Sequence, residues 1–430
     1  MAYQYIQFTI LEGLLSASIV ALIFVGLLWL NRSRPSLVWP IAASFSVRTL
    51  AALYHRFVGT LLGGGADAVT FEARSWQWAQ SGCGDLGVHL NLGGSYVHSW
   101  LVANLYACTD RSPLAFQMIN VALGVLTVYL IARVTRALWD TEAAVKAAWI
   151  AALFPIFIVN SAVPLREVWF TAFFVFSLLL LVRWVQTWRL RYLAGAIVTL
   201  LPAAIVHGSA ILSAAAIVVV VSGWALVEVF KSARTKRLRL GLVGGAFLLI
   251  LFTVVGLFFA DDLRFSSIGE VGGLLETADS IDERASEARG GSAYPSYLVP
   301  RSDAELIALT PIRMAYALIG PPPWEISAPI HLIGMLDGFI YLYFLVLLYK
   351  NRKIWWSRRD LRLLFFIFVA AFVILGWGVN NFGTVTRHRA KFVAILVVMT
   401  AGFIGRNSKR RRRKVVPLPI KYRSMDYPAG

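Results

Sequence analysis

Long apolar runs separated by short polar breaks recur along the whole chain. About eleven stand out, at 8–30, 36–60, 113–136, 144–163, 167–186, 193–206, 209–230, 240–260, 327–349, 362–379 and 390–405. An apolar run of about 18 residues or more, coiled as an α-helix, matches the thickness of a bilayer. The pattern predicts an all-α polytopic membrane protein with about 11 transmembrane helices. The run at 193–206 is short for a crossing. No basic segment and no small-residue cleavage pattern precede the first run, so 8–30 is expected to be a retained span and not a signal peptide.

The polar breaks alternate in charge. One set holds Arg32 and Arg34, then Arg133, Arg136 and Lys146, then Arg189 and Arg191. It continues with Lys231, Arg234, Lys236, Arg237 and Arg239, and with Lys350, Arg352, Lys353, Arg358 and Arg359. The stretch "GRNSKRRRRK" at 405–414 joins this set. Short basic loops face the cytoplasm, which puts the N-terminus outside and the C-terminus inside. The expected organisation is a single transmembrane domain over 1–405 and a basic cytoplasmic tail over 406–430 that contacts anionic lipid. The other side carries two long loops, about 61–112 and 261–326. The second includes the polar stretch "ETADSIDERASEARGGS". Chemistry in water has room only on this outer side.

Composition strengthens the membrane reading. Of the 430 residues 58% are hydrophobic and 15% charged, and mean hydropathy is +0.68. A soluble fold of this size could not hide that much apolar surface. The net charge of +18 invites a nucleic-acid partner, but its confinement to short loops on one side points to membrane lipids and away from nucleic acid. No internal repeat is visible, which argues against a secondary transporter.

Against this topology, "TRHRAKF" at 386–392 is an exception. It gathers Arg387, His388, Arg389 and Lys391 at the outer start of the last run. All six histidines (55, 89, 98, 207, 331 and 388) also fall at or beyond outer helix ends. The first outer loop turns helical at Asp67, with Thr70, Phe71 and Arg74 on one face and Trp76 and Trp78 at the interface. Asp67 reads either as a candidate base, with Glu72 near it, or as a helix cap after glycine. Cys83 and Cys108 lie outside, where oxidation is open to them. They form either a disulfide closing a loop of about 25 residues or two free thiols. "SAVPLREVWF" sets Arg166 and Glu167 at a tight outer turn, "IVHGS" sets His207 at another, and "LTPIRMAYALIGPPPWE" carries Arg313. Arg48 lies inside the second run, as a functional group or as a cation paired within the bundle.

A carboxylate facing fixed cations suits one class of reaction. The carboxylate takes the proton of an incoming hydroxyl. The cations stabilise charge that develops on a departing phosphate.

The same residues carry a resemblance. "GADAVTFEARSWQWAQSG" resembles the first-outer-loop pattern of GT-C superfamily glycosyltransferases. "VPLREVWFTAFF", "IRMAYALIGPPPWE" and "TRHRAKFVAILVV" resemble segments of bacterial family-39-like membrane proteins of polysaccharide gene clusters. The resemblance implies a multi-span enzyme of the bacterial cytoplasmic membrane. It would transfer a sugar or glycan from a polyprenyl phosphate or diphosphate donor to a glycan or lipid acceptor on the periplasmic face, in cell-surface polysaccharide assembly. It places Asp67 as catalytic base, and Arg166, Arg387 and Arg389 as phosphate-holding arginines. Glu167 stands where Asp is commoner, Phe71 where Tyr is usual, and His388 where a Tyr separates the arginines. No second acidic residue adjoins Asp67, so no cofactor is expected to be required, with a divalent cation left open. Two other readings stay open at this point: a Wzy-like polymerase joining lipid-linked repeat units, and a flippase for lipid-linked glycans. The residues do not name an oligomeric state.

Overall fold

The computed structural model describes residues 6–62, 64–90, 96–206, 210–236, 239–258, 293–327 and 329–405. The helices of the first half are α1 (Ile10–Ser33), α2 (Val38–Phe57), α3 (Ala66–Ala79), α4 (Val97–Thr109), α5 (Pro113–Leu138), α6 (Thr141–Leu153), α7 (Pro155–Ala162) and α8 (Glu167–Thr187). Those of the second half are α9 (Leu190–Val206), α10 (Ala210–Arg234), α11 (Leu240–Phe258), α12 (Asp303–Ile319), α13 (Pro329–Lys350), α14 (Arg352–Trp356), α15 (Arg359–Gly378) and α16 (Phe382–Thr400). Among the described residues the only extended pairing is an isolated bridge between Ala293 and Asn381.

Among the described residues seven helices are long and apolar enough to cross a membrane, or eight if a bent pair counts as one span. That pair is α6 and α7, which meet at 58°. The break falls at Pro155, whose ring cannot continue the helix behind it. The remaining expected spans are helical but shorter or more polar. α9 carries Pro202 inside it. α16 owes its polarity to Arg387, Arg389 and Lys391, yet it is buried from Arg389 through Thr400. It packs against α5, α6, α7, α8, α12, α13 and α15, so it runs through the middle of the bundle. Leu22, Phe24, Val25 and Trp29 of α1 stay exposed, as lipid-facing positions would be. The acidic pair Asp261–Asp262, the stretch "ETADSIDERASEARGGS" and the 406–430 tail lie outside the described residues.

Buried polar side chains tie the helices together. Glu12 of α1 meets Arg56 of α2 at 3.1 Å and accepts the Leu114 backbone N–H at the start of α5 at 2.6 Å. Each partner removes a charge or donor that would be costly in an apolar interior. Arg48 donates to the carbonyls of Ala151 at 3.1 Å and Ala152 at 2.8 Å. These are orphan acceptors at the end of α6, freed by the break before Pro155. Arg48 thus caps a broken helix, which accounts for a cation at that depth.

α3 and α4 pack on each other and against α5 and the start of α8. Cys83 and Cys108 are bonded, with Cα atoms 4.9 Å apart. Glu72 holds Arg111 with two hydrogen bonds, at 2.9 and 2.6 Å. This clamp fixes α3 to the entry of α5. Glu72, expected beside Asp67 as a catalytic group, is engaged in that structural pair. Cys108→Ser is expected to lower the stability of this unit by about 3 kcal/mol, the chain-entropy value for such a loop. Limited proteolysis should then cut within 80–110, with the bundle left intact.

Candidate active site

The tight turn between α7 and α8 satisfies its own carbonyls only in part, with Leu165 N–H donating to Val163 O at 2.7 Å. Two polar residues of α5 complete the set. Gln117 donates to Ala162 O at 2.7 Å, and Asn120 donates to Val163 O at 2.8 Å and Leu165 O at 3.1 Å. Trp169 closes the arrangement by donating its indole N–H to Asn120 Oδ1 at 2.7 Å. The turn is thereby held, and with it Arg166 and Glu167. Gly64 sets the approach to α3. A Cβ there would lie 2.8 Å from His55 Cε1 and 3.0 Å from Val163 Cγ1, so only glycine lets the chain pass this close. Asp67 follows in the first turn of α3.

These elements bring Asp67 against α16. Asp67 Oδ2 lies 2.6 Å from Arg387 Nη2, and Glu167 Oε1 lies 3.8 Å from Arg387 Nε. The Arg166 guanidinium sits over the Phe71 ring, 4.7 Å from its centroid. Lys391 lies over Phe170 at 5.6 Å. Lys391 follows Arg387 by four residues, so the two cations share a helix face. Arg166 interacts electrostatically with Glu167, Arg387 and Asp67, and Lys391 with Glu167, Arg166 and Arg387. Two arginines and a lysine thus meet two carboxylates. Glu167 is 2% exposed and Arg387 17%, whereas Asp67 is 52% exposed. The arrangement has a buried cationic floor and an accessible carboxylate.

Not every expected residue joins this cluster. Arg389 is two positions from Arg387, a rotation of about 200° on a helix. It points the other way and donates to Leu318 O at 3.2 Å, to Gly320 O at 2.6 Å and to Gly334 O. Arg313 likewise donates to Gly376 O at 2.7 Å, Val379 O at 3.2 Å, Asn380 Oδ1 at 2.7 Å and Leu298 O. Both are fully buried. Most of their donors are engaged by main-chain carbonyls and, for Arg313, by the Asn380 side chain. His388 is half-buried on α16. His207 lies outside the described residues. Among the described residues no three His, Cys, Asp or Glu side chains gather as a metal site would require.

His98 is a neighbour that no sequence motif singles out. It is fully buried in α4, packed by Phe116 at 5.0 Å, Trp169 at 5.7 Å and Phe71 at 6.2 Å. Neither ring nitrogen has a hydrogen-bond partner. Burial pushes its pKa down to about 3, Arg166 lowers it further, and Glu167 opposes them. The folded protein therefore keeps His98 neutral while an unfolded chain protonates it near pH 6.5. Above that pH the residue contributes no pH dependence. Between pH 6.5 and about 3 the unfolded state binds the extra proton, so stability falls as pH falls. The loss at pH 5 is about 2 kcal/mol. His98→Phe should remove that slope, read as the difference between melting temperatures at pH 7.5 and pH 5.

Compared with known protein families and with curated proteins, the sequence matches none. Solved structures do resemble the fold. One is the archaeal oligosaccharyltransferase AglB from Archaeoglobus fulgidus, in complex with an inhibitory peptide and a dolichol-phosphate. It is 15% identical with a TM-score of 0.48, over 84% of this chain and 50% of that one. Another is the Archaeoglobus fulgidus oligosaccharyltransferase with zinc and sulfate, at 17% identity and a TM-score of 0.46, over 85% and 48%. A third, tethered to an acceptor peptide, is 16% identical with a TM-score of 0.44, over 84% and 49%. This chain spans about half the length of those proteins.

Proposed function

We propose that the chain is an integral-membrane glycosyltransferase of the GT-C type. It moves a sugar or glycan from a polyprenyl phosphate or diphosphate carrier to an acceptor hydroxyl. The observation that carries this reading is the juxtaposition of exposed Asp67 with the cationic floor of Arg387, Arg166 and Lys391. The carrier's phosphate rests on that floor, where Arg can hold two phosphate oxygens in parallel. The acceptor oxygen attacks the anomeric carbon. The bond from that carbon to the phosphate oxygen breaks, and the electron pair leaves with the carrier phosphate. Asp67 takes the acceptor's proton. The fixed cations stabilise the leaving charge without reorganising.

The reaction face is the outer one. The site sits where α2 ends, α8 begins and α16 begins, whereas Arg234, Lys350, Arg352, Lys353, Arg358 and Arg359 fall at the opposite helix ends. The positive-inside rule assigns that opposite side to the cytoplasm. The setting is the bacterial cytoplasmic membrane and the work is cell-surface polysaccharide assembly. Removing the protein from its host should make a polyprenyl-linked glycan accumulate, read by mass spectrometry of extracted lipids. The wild-type chain should clear it and Asp67→Asn should not. Unchanged lipid-linked glycans in the host lacking the protein would refute the reading.

A further inference from the structure

The Asp67–Arg387 contact poses a problem for the mechanism just described. The base and the main phosphate-holding cation are bonded to each other. Asp67 Oδ2 lies 2.6 Å from Arg387 Nη2, so that oxygen is directed at a guanidinium and not at an acceptor hydroxyl. The same Arg387 nitrogen is unavailable to a phosphate while the pair persists. Each group is thus half-engaged by the other until the pair opens.

The two members are held unequally. Arg387 is 17% exposed, seated on α16 and bound from below by Glu167, itself 2% exposed. Asp67 is 52% exposed and has entered from the first turn of a helix that lies over the bundle. Arg387 is the fixed partner and Asp67 the displaceable one. Only the Asp67 side of the pair is open to water, and from that side an anion with more charge and two suitably spaced oxygens can replace a single carboxylate oxygen on Arg387. Arg166 and Lys391 add attraction for such an anion that Asp67 alone does not satisfy.

We infer that the Asp67–Arg387 ion pair is a latch opened by the carrier phosphate, which takes Arg387 and in the same exchange releases Asp67 to face the acceptor. This inference rests on the glycosyltransferase reading above. It predicts an order of events: the phosphate-bearing donor seats first, and only then does the acceptor meet a free base. A site without donor cannot deprotonate a stray hydroxyl.

The latch has a consequence that plain catalysis by Asp67 lacks. Asp67 competes with the phosphate for Arg387, so its removal should tighten phosphate binding while abolishing turnover. The probe is farnesyl phosphate, titrated against the full chain in lipid nanodiscs. Asp67→Asn is expected to bind it roughly two- to five-fold more tightly than wild type, the range set by a partly exposed ion pair. Asp85→Asn removes one negative charge from the same exposed loop without touching Arg387 and should leave affinity unchanged. Equal affinity of Asp67→Asn and wild type overturns the latch while leaving the phosphate site standing. Equal tightening by both variants also overturns it, because loop charge alone would then explain the effect. Failure of wild type to bind the probe at all overturns the phosphate site itself, and the latch with it.

Discussion

Asp67→Asn should lower glycosyl transfer by about 10²- to 10⁴-fold, the usual contribution of a positioned general base. The substitution keeps the shape of the side chain and one oxygen toward Arg387, so the α3–α4 unit should fold as before. What it removes is the second protonatable oxygen. The loss should fall on kcat, because the missing interaction is made only as the proton moves, while donor binding tightens modestly once the competing carboxylate charge is gone. Asp67→Glu should recover part of the rate, since the carboxylate returns at a displaced position. Turnover by purified protein with a lipid-linked donor, followed against acceptor concentration, reads both effects.

Arg389→Ala should act on the fold. Its guanidinium serves the carbonyls of Leu318, Gly320 and Gly334 at the junctions of α12 and α13. Truncation leaves the Leu318 and Gly320 carbonyls without a donor, while Gly334 O keeps its place in the α13 ladder. At about 1–3 kcal/mol for each unsatisfied group, the loss is roughly 2–6 kcal/mol. That is a large part of the whole stability of many proteins. The variant should reach the membrane poorly, or melt far below wild type in detergent. Arg387→Ala makes the contrast. It removes a partly exposed pair, should melt within a few degrees of wild type, and should lose activity with a raised KM for donor. If Arg389→Ala kept its stability and lost only activity, Arg389 would belong to the site after all.

The difference between these two arginines shows how much the sequence could reveal. The apolar runs and the basic loops displayed a helical membrane architecture, because period and charge are local properties. α3 was legible from Asp67, Phe71 and Arg74, which share one face. The pairing of Asp67 with Arg387 was not, because 320 positions separate them and only the packing of α16 through the bundle brings them together. Within "TRHRAKF" a further signal is present. Arg387 and Lys391 stand four apart and share a face, whereas Arg389 turns away. Arg48 and Arg313 looked like functional cations because a charge in an apolar run usually needs a purpose. Their purpose is to cap broken helix ends, which no sequence pattern displays until the breaks themselves are placed. Gln117 and Asn120, three apart in an apolar run, hold the Arg166 turn, and their spacing was the available hint.

The central claim is that Asp67 and Arg387 form one reaction site for a lipid-linked glycan. Its most direct test is release of the free polyprenyl carrier by the purified chain in nanodiscs, with lipid-linked glycan and acceptor supplied from the host. Wild type should release the carrier, Asp67→Asn should do so at least about 10²-fold more slowly, and Arg387→Ala should demand more donor for the same rate. Release by Asp67→Asn at the wild-type rate would contradict the account.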